Sequence, residues 1–235
     1  MHLNSTEGNA IYERDHRGAV GVRPLAGKAT IDETLGGITY AIGPGDFFQT
    51  NPSTAEALYG RTMERLQLQR GDAVIDLYSG VGGLALQASR ITGWAMGVEE
   101  VEGAVVRARE AARRNGLTAE FQAELVVHAL PDIARRMEGR APIVTVNQSR
   151  KGLEEGVVDG IVGLAPRRIA YVSCNPRSLA RDLALFREHG LQIGAVDLFD
   201  MFPHTPHVEC LAILQGATPE GRVKRAPIRK RVRRR

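Results

Sequence analysis

The chain of 235 residues is 43% hydrophobic and 25% charged, a composition typical of a globular protein with one large core. No apolar run approaches the roughly 20 residues that span a bilayer, and the N-terminal stretch MHLNSTEGNA lacks the pattern of a signal peptide. We expect a cytoplasmic, monomeric protein without a membrane partner. The two cysteines, Cys174 and Cys210, are too few for a disulfide framework or an iron-sulfur cluster, and no metal site is expected.

The net charge of +4 is unevenly distributed along the chain. Residues 222–235 hold nine of the 31 basic residues and no acidic one, whereas residues 1–221 hold 22 basic and 27 acidic residues. Such a run is typical of a disordered tail whose positive electrostatic field attracts a polyanion such as RNA. The alternative is a solvated tail without a partner.

The first 50 residues are rich in turns and short β-like pieces. Segments 30–35 and 38–42 flank the pair Gly36-Gly37, and this pattern predicts a β-hairpin. We therefore expect a small antiparallel β annex over residues 1–50. A central domain is expected over residues 51–216, followed by the basic tail over residues 217–235.

A helix is predicted where the central domain begins. Asn51 suits the N-cap position and Pro52 the first helical position, and apolar residues follow at helical spacing up to Leu66. Gly71 is expected to end this helix.

The stretch AVIDLYSGVGGLALQ, residues 73–87, reads as a strand, a glycine loop and a helix. Its first residues are apolar without alternation, which indicates a strand buried on both sides in a parallel sheet. Gly80, Gly82 and Gly83 remove side chains at a place where a helix N-terminus can approach a cofactor. The alternative is an ordinary tight turn between strand and helix.

Two acidic residues define the cofactor that this loop suits. Glu99, 23 residues after Asp76, closes a second apolar run and can accept both hydroxyls of an adenosine ribose. Asp76 precedes Gly80 by four residues, and an anion there disfavours a pyrophosphate but suits the sulfonium of S-adenosylmethionine. Ala85 can still serve as the third small residue of a dinucleotide loop. We favour S-adenosylmethionine over a dinucleotide.

Beyond the glycine loop, helical and strand patterns alternate. The predicted elements are a helix at 101–114, a strand at 120–126, a helix to about 137, a strand at 142–146, a helix at 153–164, a strand at 168–173, a helix at 177–189, and strands at 191–199 and 207–214. The last two strands are joined without a helix. This order predicts an α/β fold with a seven-stranded Rossmann-like methyltransferase sheet of six parallel strands and one antiparallel strand, the last strand lying between the fifth and the sixth.

Polar residues follow several of these strands at the edge where ligands bind in such sheets. Asp76, Glu99, Asn147 and Cys174 fall at carboxyl ends of strands, and the reversed last strand brings Glu209 to the same edge. A Glu inside VECLAIL is costly unless it is functional or solvated at an edge. Cys174 precedes a helix N-terminus that favours the thiolate, although a buried inert thiol is the alternative. Cys210 points to the opposite face and is expected in the core.

Six motifs together resemble one enzyme family. These are FFQTN (47–51), DLYSGVGGLAL (76–86), GVE (97–99), SRKGL (149–153), VSCNPRSLARDL (172–183) and DMFPHTPHVE (200–209). They are similar to the motifs of the RNA uracil-C5 methyltransferases, which form 5-methyluridine in tRNA and 23S rRNA. The similarity covers about residues 8–215.

The resemblance implies roles for particular residues. Cys174 matches the nucleophile that attacks C6 of uracil, and Glu209 matches the base that removes the C5 proton. RNA, either tRNA or rRNA, is the implied substrate, and S-adenosylmethionine is the implied cofactor. The positions that match its contacts are Gln49, Tyr78, Gly83 and Glu99, beside Gly80 of the glycine loop and Asn147.

The chain departs from the family at three places. Asn147 stands where the family motif D-P-P-R-x-G-L has an aspartate, and Leu125 stands where an acidic residue usually holds the adenine amino group. We expect no counterpart to the family's N-terminal RNA-binding β-barrel or to the cluster cysteines of some members. Besides an active methyltransferase, two alternatives stay open: a catalytically degenerate paralogue that binds RNA, and a Rossmann-like enzyme that uses a nicotinamide cofactor.

Overall fold

The computed structural model describes residues 2–4, 22–24, 30–148 and 150–216 of the chain. The helices are α1 (Pro52–Leu66), α2 (Gly83–Thr92), α3 (Glu102–Arg114), α4 (Val126–Arg136), α5 (Val157–Gly163) and α6 (Pro176–Glu188). The strands are β1 (His2–Asn4), β2 (Val22–Pro24), β3 (Ile31–Leu35), β4 (Ile38–Ile42), β5 (Val74–Leu77), β6 (Ala95–Glu99), β7 (Ala119–Ala123), β8 (Ile143–Gln148), β9 (Arg168–Ser173), β10 (Gln192–Phe199) and β11 (Glu209–Gln215). Ser149 of the SRKGL motif and the predicted tail at 217–235 lie outside the described residues.

Within the described residues, the main sheet has seven strands in the order β10-β11-β9-β8-β5-β6-β7. Strands β5 to β9 pair in parallel, whereas β11 pairs antiparallel with both β9 and β10. Six strands therefore run in one direction and β11 runs against them. This confirms the predicted sheet, including the position of the last strand between the fifth and the sixth.

Two apolar layers cover the faces of this sheet. One core joins α1, α2 and α3 to the hairpin of β3 and β4, and the other joins α4, α5 and α6. All four residues of β5 are buried, because this central strand contacts a helix layer on each face. The continuous apolar run of β5 is therefore explained by its place at the centre of a covered parallel sheet.

The predicted hairpin is present and packs on the main sheet's helices. Gly36 and Gly37 both have positive φ values, +56° and +76°, as a two-residue hairpin turn requires. The Asn115 side chain bonds both the backbone N–H and the carbonyl oxygen of Thr39, at 3.0 and 2.8 Å. Strands β1 and β2 pair with each other separately. The division of the chain at residues 50 and 216 stays a prediction.

Most element boundaries lie within two residues of the sequence predictions, and three differ by more. Helix α1 ends at Leu66 rather than Gly71, because Gln67 adopts a left-handed conformation with φ of 51°. Strand β7 ends at Ala123 rather than at residue 126, since Leu125 is already the extended N-cap of α4. Helix α5 begins at Val157 rather than at residue 153, after Gly156 with φ of 85°. No helix in the described part of the chain is both long and apolar enough to cross a membrane.

Candidate active site

A cleft of about 570 Å³ opens at the carboxyl ends of the central strands. Its walls come from the glycine loop, the ends of β6 and β8, the segment after β9, the start of β11 and the segment before α1. The predicted site residues that line it are Tyr78, Gly80, Gly83, Glu99, Asn147, Cys174 and Glu209. Residues from distant parts of the sequence thus meet at one edge of the sheet, as the topology predicts.

The three glycines of the loop serve different purposes. Gly80 has φ of +53° and faces open space, with its nearest neighbour, the Phe47 carbonyl oxygen, 4.0 Å from an added Cβ. A Cβ at Gly82 would lie 2.8 Å from the Phe121 ring, and one at Gly83 would lie 2.5 Å from the Tyr59 hydroxyl. Gly82 and Gly83 therefore make room for the protein's own side chains, whereas Gly80 leaves the backbone accessible from the cleft.

Asp76 bonds the first turn of α2, directly after the glycine loop, and is not among the cleft-lining residues. Its buried carboxylate accepts hydrogen bonds from the Ala85 backbone N–H at 2.9 Å and from the Thr145 hydroxyl at 2.6 Å. Burial raises the pKa of Asp76 to about 7, although both hydrogen bonds oppose this rise. Asp76 therefore connects β5, the first turn of α2 and β8, rather than facing a ligand as we expected from the sequence.

The carboxylate of Glu99 lies at the cleft in a fixed orientation. One oxygen accepts from the Gly80 backbone N–H at 3.0 Å and the other from the Val101 backbone N–H at 2.9 Å. Each carboxylate oxygen keeps a further lone pair for an additional donor. Glu99 is thus held in place while it retains the capacity to bind a pair of hydroxyl groups.

Three buried polar atoms have no hydrogen-bond partner among the described residues, and two of them belong to the residues directly before Gly80. They are Gln49 Nε2, the Tyr78 hydroxyl and Ser79 Oγ. A buried polar group without a partner costs about 1–3 kcal/mol, so a polar ligand at this place would remove an existing penalty. Tyr78 also has φ of 60°, which is rare for a bulky side chain and is found most often at functional sites. Gln49, a predicted site residue, is buried and is not among the cleft-lining residues, whereas Ser79 lines the cleft and was not predicted.

Cys174 and Glu209 meet because β11 lies beside β9. Cys210 pairs with Ser173 across these strands, so that Glu209 and Cys174 occupy the next positions and both line the cleft. The Cys174 side chain is partly exposed, whereas Glu209 is only 3% exposed. Burial raises the pKa of Glu209 to about 7. Cys210 is buried in the opposite core, as predicted.

The two positions that depart from the family motifs also lie at the cleft. Asn147 is near the end of β8 and Leu125 precedes α4, and both line the cleft. The Leu125 side chain is 40% exposed, so it is not packed in either core. Each therefore occupies a place from which its side chain can affect ligand binding.

Sequence reasoning from the strand ends missed several residues of the cleft. Arg150 and Lys151 line it near Cys174, and Phe47 and Phe202 line it from other segments. All four stand within the quoted motifs, so motif membership was the signal that could have identified them. The cleft carries acidic groups by the glycine loop, and both basic and acidic groups by Cys174, where Arg150 and Lys151 lie with Glu209.

The chain is similar to solved methyltransferase structures and matches the model of one methyltransferase family. The fold is that of S-adenosylmethionine-dependent methyltransferases. One such enzyme from Agrobacterium tumefaciens matches 88% of this chain and 77% of its own, with a TM-score of 0.62; at 13% identity it shows the fold alone. The family model of the tRNA (uracil-5-)-methyltransferases matches residues 31–217. The chain belongs to that family.

The relatives and solved structures agree with this assignment. An uncharacterised RNA methyltransferase of Streptococcus pyogenes serotype M18 is 37% identical over 91% of this chain and 45% of its own length. Another from Lactiplantibacillus plantarum is 39% identical over 81% of this chain and 42% of its own. The tRNA (uracil-54, C5)-methyltransferase of Pyrococcus abyssi, in complex with S-adenosyl-L-homocysteine, matches 90% of this chain and 49% of its own, with 29% identity and a TM-score of 0.71.

The chain spans less than half the length of these curated relatives. The family assignment confirms the resemblance deduced from the motifs. It favours a methyltransferase over the nicotinamide-dependent alternative.

Proposed function

We propose that this chain methylates C5 of a uridine in structured RNA, with S-adenosylmethionine as the methyl donor and a covalent bond between Cys174 and C6 of the base. The observation that carries this proposal is the meeting of Cys174 and Glu209 in the same cleft as Glu99 and the glycine loop. A thiol and a buried carboxyl group beside a cofactor-sized cleft suit a reaction that needs both a nucleophile and a base.

The residues of the glycine-loop side fit S-adenosylmethionine. Glu99 would accept the ribose hydroxyls, the backbone at Gly80 leaves room for close approach, and Gly83 also lines the cleft. Gln49 and Tyr78 offer the donors that have no partner among the described residues, and Asn147 would complete the cofactor side of the cleft. When bound, the cofactor supplies an electrophilic methyl group.

The chemistry then follows from two side chains of this chain. The Cys174 thiolate forms a bond to C6 of uracil, and the electron pair of the C5–C6 double bond moves to C5, which becomes nucleophilic and accepts the methyl group. Glu209 removes the proton from C5, the double bond forms again, and the Cys174–C6 bond breaks to release the thiolate. Because burial raises the pKa of Glu209 to about 7, its carboxylate is a base suited to neutral pH.

The Cys174 side of the cleft suits RNA. Arg150 and Lys151 provide positive charge for phosphates. Phe47 is 64% exposed at the cleft, and an exposed aromatic ring can stack on an unpaired base. The family description and the Pyrococcus abyssi enzyme both name tRNA, which makes tRNA the first substrate to test. Ribosomal RNA is the second.

A covalent trap tests this proposal. RNA that carries 5-fluorouridine at the target should form a stable adduct with the protein in the presence of S-adenosylmethionine, since fluorine cannot leave as a cation after methyl transfer. Cys174→Ala should abolish the adduct. Glu209→Gln should allow addition to ordinary uridine but stall elimination, so that a methylated covalent complex accumulates. Cys210→Ala is the matched control, because this second cysteine is buried in the opposite core.

A second function, RNA binding without catalysis, is favoured by Asn147 and Leu125 at the cleft. If the protein binds tRNA or rRNA but forms no adduct and transfers no methyl group, the degenerate paralogue becomes the better account. Retention of both Cys174 and Glu209 in the cleft supports the enzyme.

A further inference from the structure

The segment that joins β4 to α1, residues 43–51, forms part of the cleft wall without being helix or strand. We call it the mouth segment. It carries Phe47 and Phe48, which line the cleft, and Gln49, whose side-chain nitrogen is buried without a partner among the described residues. Without ladder hydrogen bonds, the position of this segment depends on individual contacts.

A buried carboxylate provides the firmest of these contacts. The Asp46 side chain is 1% exposed and accepts two hydrogen bonds from the guanidinium group of Arg107, one to each oxygen. The same carboxylate accepts from the Gly43 backbone N–H at 2.7 Å, and the Asp46 N–H donates to the Gly43 carbonyl oxygen at 3.1 Å. This paired geometry is the strongest that arginine and a carboxylate make.

The surrounding backbone leaves space for the guanidinium group. A Cβ at Gly43 would lie 3.0 Å from it, and one at Gly103 would lie 3.1 Å from it. Arg107 belongs to α3, which begins three residues after Glu99. The ion pair therefore connects the mouth segment to the helix that follows the proposed ribose-binding carboxylate.

We propose that Asp46 and Arg107 are positioning residues that hold the mouth segment, so that Phe47 and Phe48 keep their places in the cleft wall beside the glycine loop. Neither Asp46 nor Arg107 is among the cleft-lining residues, so both act through the segment. This inference rests on the proposed function, which supplies the ligands that the segment would meet. Removing Arg107 leaves the buried Asp46 charge without compensation, and removing Asp46 leaves a guanidinium group that is only 21% exposed without its partner; both changes are more disruptive than losing an exposed ion pair.

The experiment is a double-mutant cycle of Asp46→Asn and Arg107→Gln. The matched control is the pair Asp32→Asn and Arg114→Gln, because Arg114 also belongs to α3 and pairs with Asp32 of β3, in the hairpin that precedes the mouth segment, but both side chains are about half exposed. Three readouts are needed: amide hydrogen exchange of residues 43–51, affinity for S-adenosylhomocysteine by calorimetry, and the rate of adduct formation with saturating 5-fluorouridine RNA.

Each single variant at Asp46 or Arg107 should speed exchange of the mouth segment and slow adduct formation by at least about tenfold, and the double variant should be no worse than either single one. The control variants should stay within about twofold of the wild type. Arg107→Lys keeps the charge without the paired geometry, and it replaces Arg107→Gln if that variant does not fold.

Folded variants with wild-type exchange in the mouth segment would overturn the inference. So would additive effects of the two changes, or equal effects in the control pair. If the wild type forms no adduct, the proposed function fails; exchange and S-adenosylhomocysteine affinity then still decide whether the pair positions the segment.

Discussion

Glu209 is the buried acid among the residues that line the cleft, and its environment affects stability as well as chemistry. Burial raises its pKa from an ordinary value of 4.5 to about 7. The folded protein therefore retains this proton at pH values where the unfolded chain has released it. The resulting stabilisation is fully present below about pH 4.5 and is lost as the pH rises through about 7.

Glu209→Gln should remove this loss of stability at high pH, because glutamine has nearly the same shape as glutamic acid and stays neutral. The variant should match the wild type in unfolding free energy near pH 4 and exceed it at pH 8, by at most about 3 kcal/mol. Urea unfolding of both proteins across this range measures the difference. A difference that does not change with pH would contradict the expected titration.

Asn147 and Leu125 are single residues whose effect on cofactor binding can be measured. Both line the cleft, and the motif resemblance implies a carboxylate at each of these positions in the family. A charge-assisted hydrogen bond contributes about 1.5–3 kcal/mol, which corresponds to one to two orders of magnitude in affinity. Asn147→Asp and Leu125→Asp should each tighten S-adenosylhomocysteine binding in calorimetry, provided that Glu99 is intact. Glu99→Ala is the control that should weaken binding. Unchanged affinity in Asn147→Asp would remove this position from the proposed cofactor site.

At the scale of elements, the unit of strand β5, glycine loop and helix α2 was predicted from sequence because each part has a local signal. The strand is a continuous apolar run, and the loop has three glycines in four residues. The reasons for the glycines were only partly predictable. The space beside Gly82 is occupied by Phe121 of β7, and the space beside Gly83 is occupied by Tyr59 of α1. No local sequence pattern predicts these two contacts.

Gly83→Ala tests this explanation of the loop. Gly83 starts α2, where alanine has the better helix propensity, so the expected cost comes from the Tyr59 hydroxyl at 2.5 Å from the new Cβ. We expect a loss of about 1–3 kcal/mol in unfolding free energy. Tyr59→Phe should recover part of this loss in the double variant. Gly93→Ala, where no atom lies within 4 Å but φ is +91°, separates backbone strain from crowding. Equal losses in Gly83→Ala with and without Tyr59→Phe would contradict the crowding explanation.

At the scale of the whole molecule, the charge distribution concerns association with RNA. Residues 222–235 hold nine basic residues, and the rest of the chain is acidic on balance. If this tail contacts phosphates, deleting it should weaken RNA binding without changing sequence preference and should flatten the slope of log affinity against log salt concentration. Titrations of RNA at several salt concentrations measure that slope. An equal slope for the full chain and the deletion variant would show that the tail does not contact RNA.

The sequence by itself determined the order of strands and helices, the glycine loop and the reversed last strand. It predicted that Cys174 and Glu209 lie at the same sheet edge, and the pairing of β9 with β11 brought them together. Hydrophobic periodicity identifies each element from a short stretch of sequence. The order of those elements then determines the sheet topology through the rules for parallel sheets. Only the tertiary structure decided that Asp76 lies beneath the loop rather than in the cleft, and that Asp46 pairs with Arg107. The partners of that ion pair are 61 residues apart, and a contact between single side chains at such a distance leaves no periodic signal in the chain.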